Sequence, residues 1–175
     1  MKPEWMEQRS DPHTIDLSEH CKDTVTHYVQ WLYTGSIPIS LLQGQALEET
    51  DIVEIETNVY MALARAYVFG ESVMDIDFKN AVLLKVLEVE RIAETVPGRS
   101  VVEIVCAGTI PGSPMWRLLV VLMADNVSSD PRWENSFDGL PHEILVDVIK
   151  AMASLIPTKS ERLLSINDYL EKAAN

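Results

Sequence analysis

The stretch from Tyr28 to Pro38, YVQWLYTGSIP, predicts the end of a helix followed by an extended segment. Apolar residues at helical spacing predict one stripe that faces a core, and they are Val25, Tyr28, Val29 and Leu32. Gly35 stands where a helix end favours a residue that tolerates a left-handed backbone. Pro38 disfavours a helical conformation at Ile37. The stretch therefore predicts a buried helix with a glycine stop, and by itself it indicates no function.

The length and apolar content of the chain indicate a globular protein. Its 175 residues, of which 47% are hydrophobic, are enough for one domain with a sizeable core. No apolar run approaches the roughly 20 residues of a membrane span. The first residues, MKPEWMEQRSD, contain no apolar signal-peptide segment. We therefore expect an intracellular protein, cytoplasmic or nuclear, without a membrane partner.

Charge and cysteine content narrow the range of partners and cofactors. The formal net charge is −13 at pH 7, and the 14 Lys and Arg residues are scattered along the chain. Phosphate backbones repel such a chain, so we expect no nucleic-acid partner. Cys21 and Cys106 are too few for a disulfide scaffold and lack the spacing of a zinc site. We interpret them as reduced structural thiols and expect no cofactor.

The hydrophobic periodicity predicts a mostly α fold, of the α+β class, with one or two short strands. Alternation in HTIDL, residues 13–17, predicts a strand. The acidic connector at 41–58 is expected to be mainly loop and partly helical. Helices are predicted over Asp23 to Thr34, Thr57 to Gly70, Asp77 to Ala93, Ser100 to Gly108, Ser113 to Asp125, Pro141 to Leu155 and Thr158 to Lys172.

The predicted helices carry apolar stripes and capping signals. The buried stripes are predicted to be Val59, Leu63, Ala66 and Tyr67; Phe78, Val82, Val86 and Val89; Trp116, Leu119, Val120 and Met123; and Ile144, Leu145, Val148, Ile149, Met152 and Leu155. Capping boxes are predicted at Ser100 with Glu103 and at Thr158 with Glu161. A loop between the last two stripes holds Trp133.

Two stretches resemble the second half of a BTB/POZ domain of the fungal type. They are TIDLSEHCKDTVTHYVQWLYTGSIP, residues 14–38, and VYMALARAYVFGESVMDIDFKNAVLLKVLE, residues 59–88. The first contains a motif close to the family's W/F-L-Y-T-G, and recognisable positions in the second are Tyr67, Gly70, Phe78, Asn80 and Ala81. The resemblance covers about Trp5 to Ile92. It implies a BTB/POZ-like domain in residues 1–97 that lacks the N-terminal part, followed by a helical extension in 98–175.

The resemblance implies a non-enzymatic protein-interaction module. Trp31, Leu32 and Tyr33 would be core and near-core residues of its helical layer. Many BTB adaptors of cullin-based ubiquitin ligases carry an apolar residue, any residue and an acid before the strand that TIDL resembles, and Trp5 and Glu7 fit this spacing. The implied function is a substrate adaptor whose partner is a cullin scaffold or another BTB chain. Because the family's first strands are missing, we expect either a fragment or a layer supplied by another chain.

Two other functions stay open at this point. The first is a structural or self-association module, forming a homo-oligomer without a ubiquitin-ligase link. The second is a small hydrolase or a metal-binding protein. Its candidate residues are His20, Cys21, Asp23 and His27 as ligands, and Cys106 with His142 as a nucleophile pair. Zinc sites need three or four convergent ligands, and Cys106 lies in the apolar VVEIVCAG, so we favour structural roles for these residues.

An acidic run occupies the connector before the second predicted helix. It consists of Glu48, Glu49, Asp51, Glu54 and Glu56. The run is typical either of a docking loop for a basic partner or of a solvated loop, and we favour the solvated loop.

Overall fold

Six helices account for most of the chain that the computed structural model describes, which is residues 17–39, 49–93, 95–129 and 137–155. They are α1 (Lys22–Thr34), α2 (Glu49–Ser72), α3 (Ile76–Ala93), α4 (Arg99–Gly108), α5 (Pro114–Ser129) and α6 (His142–Leu155). These ranges contain no strand, so the prediction of a mostly helical protein is confirmed. Of the predicted strand at 13–17 only Leu17 is described, and the predicted helix at 158–172 lies outside the described residues. No described helix has the length and apolar character needed to cross a membrane.

The longest helix, α2, lies among three others, since α1, α3 and α4 all pack against it. Its buried apolar residues are Val59, Tyr60, Leu63, Ala64, Ala66, Tyr67 and Phe69. The stripe predicted for this helix is therefore confirmed. It is wider than predicted because neighbours cover α2 on more than one side.

The start of α2 differs from the prediction, because the helix begins at Glu49 and includes the second half of the acidic connector. Acidic residues are favoured in the first turn of a helix, where they interact with the positive end of the macrodipole. Glu49 and Asp51 occupy that turn in the sequence. Glu48 lies outside the described residues, and only the backbone is described for 49–57.

Helix α1 ends as its sequence predicts. Gly35 has a φ of 70°, and its N–H donates to the Trp31 carbonyl oxygen at 2.7 Å. A left-handed residue at this position costs little only when it is glycine. Beyond it, residues 37–39 return to the bundle, where Ile39 is buried.

The helices α3 and α4 cover two sides of α2 at close range. All four predicted stripe residues of α3 are buried, namely Phe78, Val82, Val86 and Val89. A Cβ at Gly70 of α2 would lie 2.7 Å from Lys79 Cγ, and a Cβ at Gly108 of α4 would overlap the Val68 side chain of α2. These contacts require residues without a side chain at the crossing points.

The predicted capping box of α4 is wrong. The helix starts at Arg99, so Gly98 is the N-cap residue and Ser100 lies within the first turn. Gly98 has no side chain to cap the helix, and Glu103 instead accepts a hydrogen bond from Arg99 Nε at 2.7 Å. Pro97 is buried and Gly98 is extended, so the helix begins two residues earlier than the spacing of Ser100 and Glu103 predicts.

The helices α5 and α6 form the far side of the bundle. The Ser113 hydroxyl accepts a hydrogen bond from the Trp116 N–H at 3.3 Å, which agrees with the predicted start of α5. The stripe predicted for α5 is buried in full. Trp116 Nε1 donates to Asp147 Oδ2 of α6 at 3.1 Å, and this bond links the two helices.

The stripe predicted for α6 is only partly correct. Ile144 and Val148 are buried, and Leu145 and Met152 are half-buried. Ile149 is 57% exposed, because among the described helices α6 packs mainly against α5 and needs only a narrow apolar face. The side chain of Leu155 is not described.

The link between α3 and α4, residues 95–98, lies against α2. Tyr60 Oη donates to the Thr95 carbonyl oxygen at 2.8 Å. The buried residues of α2, α4 and α5 belong to one hydrophobic cluster. The predicted boundary between a BTB/POZ-like domain, residues 1–97, and a helical extension, residues 98–175, falls in this link. It stays a prediction.

Tyr67 is the most confined polar side chain of α2. It is fully buried, and its hydroxyl makes no hydrogen bond with any residue in the described part of the chain. Burial raises the pKa of Tyr67 to about 12, although the nearby Met115 N–H acts in the opposite direction. The hydroxyl therefore stays protonated in the folded protein where an exposed tyrosine would ionise.

We expect Gly108→Ala to lower the free energy of unfolding by about 1–3 kcal/mol, because the new methyl group overlaps a stiff β-branched side chain. The overlap is with Val68. Urea denaturation measures the change. The control is Ala107→Ser at the exposed neighbouring position, which should stay within about 0.5 kcal/mol of the parent chain. Equal stabilities of parent and Gly108→Ala would contradict the close approach of α4 to α2.

We expect Tyr67→Phe to remove a pH-dependent loss of stability. A raised folded-state pKa leaves stability intact below the unfolded value of 10.0 and reduces it as pH rises towards the folded value of about 12. The free energy of unfolding of the parent chain should fall relative to Tyr67→Phe by about 1.4 kcal/mol per pH unit in that window. At neutral pH Tyr67→Phe should be at least as stable as the parent chain, since it removes a buried hydroxyl that has no hydrogen-bond partner among the described residues. A difference in the free energy of unfolding between the two chains that does not change with pH in that window would contradict the raised pKa of Tyr67.

Candidate protein-interaction surface

Four aromatic rings hold α1 on the bundle. The Tyr28 ring centroid lies 5.1 Å from that of Phe69 on α2 and 4.9 Å from that of Phe78 on α3. The Trp31 ring lies 5.1 Å from Phe78 and stacks on Tyr28 at 6.0 Å. Such tilted and offset ring pairs stabilise by about 0.5–1.5 kcal/mol beyond the area that they bury. The cluster determines which face of α1 points inward.

The Asp75 carboxylate connects α1 to the start of α3. Its Oδ2 accepts a hydrogen bond from Tyr28 Oη at 2.9 Å, and its Oδ1 accepts one from the Phe78 N–H at 2.9 Å. One side chain therefore caps α3 and anchors α1. Burial, followed by this hydrogen bond and the carboxylate charge, raises the pKa of Tyr28. The hydroxyl thus remains a donor at neutral pH.

The opposite face of α1 presents large apolar side chains to solvent. Val29 is 44% exposed, Leu32 56% and Tyr33 87%. They lie on adjacent turns of the helix, so they form one continuous surface. We call Val29, Leu32 and Tyr33 the α1 surface.

This exposure overturns part of the predicted stripe and the predicted core role of WLY. Leu32 and Tyr33 are not core residues, and Val29 does not face the core either. Trp31 is half-buried in the ring cluster. The physical reason is that α1 lies at the edge of the bundle, where α2 and the start of α3 cover only one side of it.

The sequence around the α1 surface carries no formal charge. Residues 24–47 contain no Asp, Glu, Lys or Arg, although the chain as a whole has a net charge of −13. Charged residues are normally depleted at the centre of a protein interface. An apolar surface in an uncharged part of an acidic chain has the composition of such a centre.

A groove of about 430 Å³ lies at the start of α1, between the preceding loop and helices α2 and α4. It is lined by Glu19, His20, Cys21, Thr24, Arg65, Val68 and Ile104. The His20 ring packs edge-on against Phe69 at 4.9 Å, which gives this histidine a structural contact.

The four candidate metal ligands do not converge. His20 and Cys21 line the groove, whereas Asp23 is exposed. His27 is half-buried, and its Nδ1 has no hydrogen-bond partner among the described residues. Within the described ranges no three His, Cys, Asp or Glu side chains are grouped so that they could hold a metal ion.

Cys106 has the wrong environment for a thiolate nucleophile. It is half-buried on α4, and burial, reinforced by the Glu143 carboxylate, raises the pKa of its thiol to about 11. Reactive cysteines need an electropositive setting that lowers the pKa. His142 is exposed at the start of α6. The thiol is therefore almost entirely protonated at neutral pH.

The predicted partner residues Trp5 and Glu7 lie outside the described residues. The acidic run is described only from Glu49, where the backbone is part of α2. The roles of Trp5 and Glu7 stay a prediction, whereas the loop expected for the acidic run is wrong from Glu49 onward. The α1 surface was missed by the sequence reasoning. A signal for the surface was present: Leu32 and Tyr33 follow Trp31 directly, and three consecutive residues of a helix cannot all face one core.

Comparisons of the chain with protein-family models, curated proteins and solved structures find no match.

We expect Tyr28→Phe to lower the free energy of unfolding by about 1–3 kcal/mol, the usual effect of losing a hydrogen bond to a charged group. The lost bond is that to Asp75. The matched control is Tyr33→Phe on the same helix, which is 87% exposed and should leave stability unchanged. Urea denaturation compares the two variants. Equal effects of both would contradict the division of α1 into an inward and an outward face.

Proposed function

We propose that the protein is a non-enzymatic protein-interaction module that binds its partner through the α1 surface. The observation that carries this proposal is the exposure of Leu32 and Tyr33 beside the ring cluster that fixes α1. Exposed apolar side chains are common singly, but adjacent ones on one rigid helix form a docking face.

The energetics favour binding at this place. Burying a large apolar side chain contributes about 1.5–3 kcal/mol relative to leaving it in water. Tyrosine is enriched among the residues that dominate interface energies, because it combines a large ring with a hydroxyl at the rim. The helix carrying these residues is anchored by Tyr28 and Trp31, so binding requires little ordering of the backbone.

We further propose that the module is BTB/POZ-like and serves as a substrate adaptor of a cullin-based ubiquitin ligase. Support comes from the residues of the resemblance: Gly35 ends α1, and Tyr67 and Phe78 are buried in the α2–α3 pair. In this proposal Trp5 and Glu7 contact the cullin, and residues 13–17 form a short strand.

The self-association module is the second candidate, and the outward face of α3 favours it. Leu84 on that face is 69% exposed. The hydrolase is supported less, because the Cys106 thiol is protonated at neutral pH.

Titration calorimetry of the full chain with a purified cullin scaffold tests the adaptor proposal. We expect binding to the parent chain, and an affinity at least about tenfold lower for Leu32→Asp, since a lost apolar anchor and a buried charge each cost more than 1.4 kcal/mol. Trp5→Ala is expected to weaken binding in the same way. Melting temperatures should stay unchanged for Leu32→Asp, whose side chain is exposed.

The control for the titration is Ile149→Asp on α6, which alters a similarly exposed apolar residue away from α1. It should bind like the parent chain. Absence of binding by the parent chain would refute the cullin adaptor, and full binding by Leu32→Asp would refute the role of the α1 surface.

A further inference from the structure

Helix α3 carries a second apolar face that points away from the bundle. Its buried stripe packs against α2. On the other side Leu84 is 69% exposed and Leu87 42%, and Ile76 and Ile92 near the two ends are exposed as well. A helix with one covered face normally presents polar residues to solvent. The outward face of α3 departs from this pattern, because its centre is formed by the apolar side chains of Leu84 and Leu87.

The charged and polar residues around Leu84 are arranged symmetrically. Asp77 lies seven positions before it and Arg91 seven after it, and Asn80 lies four before it and Glu88 four after it. Residues at these spacings share one face of a helix, and seven residues span about 10.5 Å. All four side chains are exposed. Opposite charges therefore stand at equal distances on either side of an exposed leucine.

We propose that this α3 surface, defined as Asp77, Asn80, Leu84, Leu87, Glu88 and Arg91, pairs with the α3 surface of a second copy of the chain. The two helices run antiparallel about a two-fold axis through Leu84. Leu84 then packs on the partner's Leu84. Asp77 forms an ion pair with the partner's Arg91, and the two-fold axis repeats this ion pair. Asn80 donates to the partner's Glu88 in the same way. This is an isologous interface, in which every contact between two different residues occurs twice and only Leu84, on the axis, contacts its own counterpart.

Charge complementarity identifies the occupant as a second copy. Two chains of net charge −13 repel each other over most of their surfaces. On the α3 surface, Asp77 is balanced by Arg91, and Glu88 is balanced by the neighbouring Lys85, which lies outside the defined surface and whose Nζ is 2.9 Å from Glu88 Oε1. The face is therefore nearly neutral. A parallel arrangement would place Asp77 beside the partner's Asp77, so the pattern favours the antiparallel pair.

The inference deepens the self-association function, since it names the surface and the arrangement, and it is independent of the α1 surface. Sedimentation equilibrium of the full chain over a range of concentrations tests it. We expect the parent chain to reach twice the monomer mass and Leu84→Asp to remain monomeric at the same concentrations. The melting temperature of dilute Leu84→Asp should equal that of the dilute parent chain, because Leu84 is exposed within the chain.

Charge reversals give a second test that leaves the apolar residues intact. Asp77→Arg and Arg91→Asp should each weaken the dimer by about tenfold, since every reversal turns two attractive contacts into repulsive ones. The double variant Asp77→Arg/Arg91→Asp should restore the parent dissociation constant. Asp77 and Arg91 are exposed in the first and last turns of α3, so their reversal weakens only a modest interaction with the helix macrodipole and leaves the chain folded. The series therefore tests the proposal even if Leu84→Asp proved unstable.

Two controls separate this interface from other surfaces. Val121→Asp on α5 and Leu32→Asp on the α1 surface alter similarly exposed residues and should leave the dimer unchanged. A parent chain that stays monomeric, a dimer that persists in a folded Leu84→Asp, a dimer abolished by Leu32→Asp, or a double reversal that fails to restore association would each overturn the proposal. None of these outcomes bears on cullin binding, which is measured separately.

Discussion

The burial of α2 on several sides is the constraint on which the rest of the structure depends. Tyr60, Leu63 and Tyr67 share one side of this helix and Phe69 lies on the opposite side, yet all four are buried. Such a helix is stable only when neighbours cover it, and α1, α3 and α4 do so. Because Gly108 has no side chain, α4 approaches Val68 of α2 closely, and the two helices are tightly packed at this contact.

Covering α2 leaves α1 and α3 at the edge of the bundle, each with one face inward and one in solvent. On α1, residues that pack inward and residues that face solvent follow one another along the chain. Trp31 packs in the ring cluster, while Leu32 and Tyr33 point outward. Asp75 ties α1 to α3 through Tyr28. The residues that hold α1 are therefore distinct from those available for binding, so substitutions can separate stability from association.

Both outward faces are nearly neutral in a chain whose net charge is −13. The α1 surface lies in a stretch without formal charge. On the α3 surface Arg91 balances Asp77, and the adjacent Lys85 balances Glu88. Like-charge repulsion opposes association over the remaining surface. A partner that is itself acidic, such as a second copy of the chain, would therefore meet less repulsion at these two faces than over the rest of the surface.

Local pattern determined the helices of this protein, and packing decided which of their faces are buried. The stripes of α2, α3 and α5 were predictable, because helix formation depends on contacts between residues three and four apart, which the sequence displays directly. The resemblance pointed to α1 but assigned Leu32 and Tyr33 to the core, and periodicity likewise assigned Ile149 to the core of α6. Ser100 and Glu103 had the spacing of a cap, yet the buried Pro97 and the extended Gly98 moved the helix start. The physical reason is that an apolar residue is buried only where another element lies against it, and only the tertiary structure determines how many elements surround each helix.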